Sequence, residues 1–147
     1  MGDTYTLEDV MEDARMALRA GDAVQAMTML QARQIDGWNN GKFLTLLGVA
    51  ECLTHQPEDA LPLLERALDL APSEYAHYNL GQCYQMLGRV EDAKAAYTHA
   101  IGIDHTYGKA IEALTAFRDA ERAHEAAVAS AQSQEPHHPL GPLGPRD

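Results

Sequence analysis

The chain has 147 residues, 46% of them hydrophobic, and its 22 acidic and 11 basic residues give a net charge of −11. This composition is typical of one globular domain with a buried core, and abundant alanine without runs of β-branched residues indicates helices. The excess of acidic residues and the lack of basic clusters argue against nucleic acid and anionic membranes as partners, because both bind through basic side chains.

In chain order the sequence predicts seven helices, at about 7–20, 23–34, 42–54, 57–70, 74–87, 90–103 and 107–131. Thr6 and Asp9 resemble a capping box at the start of the first helix. Gly21 is expected to end that helix in the left-handed conformation, and the turn-forming residues 36–41 predict a loop. Pro57 suits the first turn of the fourth helix, where a missing N–H costs nothing.

Proline and glycine accumulate after the last helix, so residues 132–147 are expected to form a flexible tail beyond a helical domain of residues 1–131. His137 and His138 in this tail could bind a metal ion only weakly, because two adjacent histidines are far from a closed site. No metal site and no cofactor are predicted.

A repeat organises the helical part of the sequence. Gly48 and Ala60 recur at a constant interval as Gly81 and Ala93, and Ala26 precedes Ala60 by nearly the same interval. A helical sequence with this period, which is about 34 residues, is typical of stacked helix hairpins. The repeats are expected at about 7–39, 40–73 and 74–106, with a capping helix at 107–131.

The motifs within this repeat resemble those of the tetratricopeptide family, whose pattern is W-x2-L-G-x2-Y, then A-x3-F, then a proline. Leu80 and Gly81 followed by Tyr84 fit the first part closely, and Ala93 followed by Tyr97 fits the second. The resemblance implies an all-α fold, an array of about three helix hairpins that ends in a C-terminal capping helix.

The other two repeats depart from the family pattern. Glu51 stands in place of the tyrosine in the middle repeat, and Ala14 stands in place of the glycine in the N-terminal one. The small residues have a physical reason, because only a hydrogen atom or a methyl group lets two helices approach closely.

The resemblance also implies a concave groove lined by the first helix of each hairpin. The groove residues expected on this alignment are Arg15, Lys42, Thr45, Val49, Cys52, Tyr75, Tyr78, Gln82, Gln85 and Lys109, with Met11 beside Arg15. Tyr78 could instead only fill space between helices; the groove is favoured because Leu80 and Tyr84 already supply the packing stripe. Asn79 and Lys109 match two places of the carboxylate clamp known in the family, and the clamp is expected to be absent because the remaining places do not match.

No catalytic motif is present, so the chain is interpreted as a non-enzymatic module that binds a protein or peptide in the groove. Its acidic surface favours a basic or amphipathic partner, although surplus acid can also serve solubility alone. Two alternatives stay open: a type III secretion-type chaperone that holds an unstructured client, and a self-associating scaffold subunit.

The remaining reactive side chains are interpreted as structural. Cys52 and Cys83 suit reduced, buried thiols, which together with the lack of a signal peptide or a bilayer-spanning run favours a cytoplasmic location without membrane insertion. His77 is expected to fill a helix-packing position, and His99 lies near a helix end.

Overall fold

The structure, a computed structural model, describes residues 4–134. Within these residues the chain forms eight helices and no strand, which confirms the all-α prediction: α1 (Leu7–Arg19), α2 (Ala23–Gln31), α3 (Gln34–Gly37), α4 (Gly41–Leu53), α5 (Pro57–Leu70), α6 (Glu74–Met86), α7 (Val90–Ile103) and α8 (Gly108–Ser133). Most of the predicted tail, together with His137 and His138, lies outside the described residues. The last helix extends two residues beyond the predicted end at 131.

The helices pack as three hairpins, α1 with α2, α4 with α5, and α6 with α7. Neighbouring hairpins meet through α2 against α4 and through α5 against α6, and the first helices α1, α4 and α6 also touch in succession. This is the hairpin array that the repeat predicted. The first helices therefore share one face, which we call the groove face.

Equivalent turns join the two helices of each hairpin. Gly21 and Gly88 adopt φ angles of +83° and +74°, and His55 takes the same left-handed conformation with φ of +62° in the middle hairpin. The expected left-handed end of α1 at Gly21 is confirmed, as is the capping box: the Thr6 side chain accepts from the Asp9 backbone N–H, and the Asp9 side chain accepts from that of Thr6.

The short helix α3 corrects the sequence prediction of seven helices with a loop over residues 36–41. α2 ends at Gln31, before the predicted end at 34, and Arg33 and Asp36 form an ion pair at 2.6 Å across α3. Phe43 packs so closely under Gly37 that a β-carbon on this glycine would lie 2.1 Å from the Phe43 ring. Gly37, which the local sequence predicts to lie in a loop, therefore packs against Phe43.

Two helix pairs approach each other closely at glycines, as the sequence predicted. A β-carbon on Gly48 of α4 would lie 2.7 Å from the Leu64 side chain of α5, and one on Gly81 of α6 would lie 2.6 Å from the Tyr97 ring of α7. Both glycines are buried. No real side chain fits at those distances without movement of the neighbouring residue.

The residues up to Leu114 form one compact unit, and those from Thr115 onward belong to a second. The core of the first unit includes Phe43, Leu44 and Leu47 of α4, none of which is exposed to solvent. In the second unit, every residue of α8 from 118 to 133 is exposed. The predicted domain limit at residue 131 stays a prediction.

Candidate functional site

The groove face carries a large cleft of about 790 Å³ whose wall includes four basic side chains. We call it the cationic cleft. Its lining residues come from α1, α4, the turn between α5 and α6, and the starts of α6 and α8: Arg15, Arg19, Gly41, Lys42, Thr45, Leu46, Ala71, Pro72, Ser73, Tyr75, Ala76 and Lys109. None of these residues is acidic, in contrast to the composition of the chain.

The four cations differ in how they are already engaged. Arg15 forms an ion pair with Glu12 at 2.9 Å and a longer one with Glu8 at 3.7 Å. Arg19, Lys42 and Lys109 have no ion-pair partner among residues 4–134. Three of the four cations of the cleft therefore form no ion pair within the described residues.

A second cleft of about 390 Å³ follows along α4 and α6 and carries no charged side chain. We call it the amide cleft. It is lined by Val49, Cys52, Leu53, Leu64, Asn79, Gln82, Gln85 and Met86. Leu53 is 57% exposed, and Met86 is 45% exposed. These apolar side chains stand beside amides that can both donate and accept hydrogen bonds.

A row of tyrosines borders these clefts. The Tyr107 ring centre lies 5.3 Å from that of Tyr75 and 5.6 Å from that of Tyr78, and Tyr78 lies 5.7 Å from Tyr97. The Tyr97 hydroxyl donates to Gln85 at 2.9 Å. Burial raises the pKa of Tyr97 and of Tyr107 to about 12, so both phenols stay protonated near neutral pH. Tyr75, Tyr78 and Tyr107 therefore offer aromatic surface rather than charge, while Tyr97 is buried beneath them.

The structure brings nine of the ten predicted groove residues to the two clefts. Five line the cationic cleft and four line the amide cleft: Arg15, Lys42, Thr45, Tyr75 and Lys109 in the first, and Val49, Cys52, Gln82 and Gln85 in the second. Tyr78 lines neither of them; it lies half-buried in the tyrosine row, where its hydroxyl accepts from Gln82 Nε2 at 2.8 Å. Their role in binding stays a prediction.

Met11 does not lie in the groove as predicted, and three residues that line the clefts were not predicted. Met11, expected beside Arg15, is 1% exposed and belongs to the core, because it faces the interior of the first hairpin. Arg19 was missed, although its position four residues after Arg15 on α1 puts the two on one helix face. Leu53 and Met86 could not be found, because they follow the last recognisable motif position of their helices.

Cys52, which lines the amide cleft, and its neighbour Cys83 are both buried free thiols. Burial raises the pKa of Cys52 to about 12, and burial also raises the pKa of Cys83. The Cys83 thiol donates to the Pro57 carbonyl at 3.2 Å. Both groups are held as protonated thiols, and the thiolate needed for nucleophilic chemistry is disfavoured.

Comparison with known proteins accounts for this architecture. A family model described as tetratricopeptide repeat matches residues 41–104, the two hairpins formed by α4 to α7. These two hairpins are tetratricopeptide repeats. No curated protein matches the chain at a significant level. Of residues 4–134, no helix combines the length and the hydropathy needed to cross a bilayer.

Solved structures of other proteins share its fold. The first TPR domain of the human RPAP3 protein is 16% identical with a TM-score of 0.73, covering 83% of this chain and 97% of that one. A structure of MamA is 24% identical with a TM-score of 0.64, covering 81% and 70%. A Thermobaculum terrenum O-GlcNAc transferase mutant is 27% identical with a TM-score of 0.71; the match covers 78% of this chain and only 22% of that one.

Proposed function

We propose that this tetratricopeptide repeat chain is a non-enzymatic interaction module whose groove face holds an extended, acidic segment of a partner protein. The observation that carries the proposal is the charge of the cationic cleft. Four of the eleven basic residues of the chain line it, and none of the acidic residues that the structure describes does. In a protein of net charge −11 this separation favours an anionic occupant.

The chemistry of the cleft suits carboxylates. An arginine such as Arg19 can donate two parallel hydrogen bonds to one carboxylate, while Lys42 and Lys109 act as point charges around it. The walls between them, such as Leu46 and Ala76, are apolar.

The amide cleft continues the cationic cleft along α4 by more than one helix turn. Thr45 and Val49 lie four residues apart on α4 and line different clefts, so the two clefts follow one another along the helix. From Lys42 to Leu53 the helix advances about 16 Å, which matches roughly five residues of extended chain. The amides can hydrogen-bond the backbone of such a segment, and Leu53 and Met86 can pack on its apolar side chains.

The proposal differs from the partner that net charge alone suggests. A chain of charge −11 favours a basic partner over long distances, whereas the local charge of the cleft decides what binds within it.

We infer a cytoplasmic location, which the free thiols Cys52 and Cys83 support because they stay reduced there.

The test uses two fluorescein-labelled peptides of the same length, one alternating glutamate with alanine and the other alternating lysine with alanine. Fluorescence anisotropy measures their affinity for the full chain. We expect the acidic peptide to bind and to weaken as salt is added, because screening reduces the attraction. Lys42→Glu should weaken it about tenfold or more, which corresponds to about 1.4 kcal/mol of binding free energy.

Arg122→Glu is the matched control, because it changes the net charge equally but lies on the exposed part of α8. We expect this variant to bind the acidic peptide within about twofold of the wild-type affinity. The proposal fails if the lysine peptide binds as tightly as the acidic one. It also fails if both variants lose affinity equally, since net charge rather than the cleft would then be responsible.

A further inference from the structure

A third cleft, of about 330 Å³, holds two histidines from neighbouring helices. His77 of α6 and His99 of α7 have ring centres 5.2 Å apart and ring planes inclined by 57°. Leu68, Leu80, Tyr84 and Asp92 are among the other lining residues, and we call this the histidine cleft. None of its lining residues lines the cationic or the amide cleft, so groove binding does not account for it.

The spacing of the two rings fits one metal ion between them. A zinc–nitrogen bond of about 2.1 Å, added to roughly 1.1 Å from ring centre to nitrogen, puts a metal ion about 3.2 Å from each ring centre. Ring centres 5.2 Å apart then subtend an angle of about 110° at the ion, which is the tetrahedral angle that zinc adopts. Rotation about χ2, which is broad for histidine, can turn one nitrogen of each ring to that point.

We propose that His77 and His99 bind one divalent transition metal ion, of which zinc is the best fit, and so link α6 to α7. Imidazole nitrogen is a preferred ligand of zinc, copper and nickel. Within residues 4–134 no group of three or more histidine, cysteine, aspartate or glutamate side chains is placed to hold a metal. Water therefore completes the coordination, and binding is reversible rather than that of a closed structural site.

The surroundings of the pair support this assignment. The His77 ring is half-buried, and it contacts the His99 ring of the neighbouring helix. Asp92, which also lines the histidine cleft, forms an ion pair with Arg89 at 2.8 Å. Both histidines lie on regular helices, α6 and α7, which pack against each other as one hairpin. An ion bound there stabilises the folded state, because the unfolded chain does not hold the two rings together.

Zinc alone is the probe, and the metal-stripped full chain with His137→Ala and His138→Ala is the reference protein, so that the tail histidines do not contribute. We expect one zinc ion per chain by calorimetric titration and a rise in Tm of about 2–5 °C at saturating zinc.

Adding His99→Ala to the reference protein should abolish the rise in Tm and weaken zinc binding about tenfold or more. His99 is exposed, so this variant keeps the fold, which circular dichroism verifies. His124→Ala, at an exposed position of α8, is the matched control and should leave zinc binding unchanged. The proposal is overturned if the reference protein binds no zinc, or if both His77→Ala and His99→Ala bind it as tightly as the reference.

Discussion

Two residue pairs show how single side chains set the distance between helices. Gly48 faces Leu64, and in the next repeat Gly81 faces Tyr97, so the same contact is built twice with partners of different size. Tyr97 is 1% exposed, so its ring is enclosed by neighbouring residues. The glycine is therefore required by the neighbouring helix rather than by its own backbone conformation.

The same substitution at two glycines should have opposite effects. Gly81→Ala puts a β-carbon 2.6 Å from the Tyr97 ring, and we expect it to lower the free energy of unfolding by about 1–3 kcal/mol. Gly102→Ala on α7 meets no atom within 4 Å and should raise stability by about 0.5 kcal/mol through helix propensity. Urea unfolding measures both; a neutral or stabilising Gly81→Ala would show that α6 and α7 are not in close contact there.

Glu51 is a buried carboxylate at the position where the family pattern has tyrosine. Only 5% of it is exposed, and its Oε2 atom has no hydrogen-bond partner in the described part of the chain. Burial raises the pKa of this carboxyl above its ordinary value of 4.5; a hydrogen bond with Gln31 opposes the increase, and the charge of Asp59 adds to it. The folded state thus resists ionisation of Glu51.

For an acid whose folded-state pKa is raised, stability is greatest below the unfolded-state pKa and falls as the pH rises through the folded-state value. Glu51→Gln removes this ionisation. We expect the variant to gain about 1 kcal/mol of unfolding free energy near pH 7 and to gain little below the ordinary pKa of 4.5, where the wild-type carboxyl is neutral. Urea unfolding at both pH values is the measurement, with the exposed Glu125→Gln as control; an equal gain at the two pH values would contradict the account.

At the scale of elements, α3 is the part of the chain that departs most from a plain hairpin array. Arg66 of α5 donates to the Trp38 carbonyl at 2.9 Å and to the Asn39 side chain at 2.6 Å, and its guanidinium lies 4.6 Å from the Trp38 ring centre. One arginine therefore ties the end of α3 to the middle hairpin. Ile35, which lies on α3, is 94% exposed.

Removing this arginine should release α3 and leave the hairpins in place. We expect Arg66→Ala to cost about 1 kcal/mol of stability and to change the emission of Trp38, the only tryptophan of the chain, in the native state. Helix content by circular dichroism should hardly change, and Arg122→Ala serves as the control. Unaltered tryptophan emission in Arg66→Ala would mean that Arg66 does not hold α3.

The helices of the repeats were predictable because their signals are local, while α3 was not. Thr6, Asp9, Pro57 and Gly21 mark helix ends through neighbours within a few residues, and the structure has the ends where these signals put them. Around α3, Phe43 packs against Gly37 and the distant Arg66 contacts Trp38 and Asn39, and these contacts cannot be read from a sequence window. Tertiary contacts decided this element.

At the scale of the whole molecule, the sequence indicated which helix faces form the groove but not how charge is distributed along it. Arg19, Lys42 and Lys109 belong to three helices, and only the packing of these helices brings their charges to one cleft. The net charge of −11 pointed to a basic partner because it averages over all surfaces. The local separation of charge is a property of the fold.

The most direct test of the groove proposal is to map where the acidic peptide binds. A chain of 16.1 kDa is small enough for backbone amide NMR, so the 15N-labelled full chain can be titrated with the glutamate–alanine peptide. We predict that the shift changes concentrate on Arg19, Lys42, Thr45, Tyr75 and Lys109, which line the cationic cleft. Changes centred on the histidine cleft around Ala95 and His99, or no change at saturating peptide, would contradict the assignment of the groove face as the binding surface.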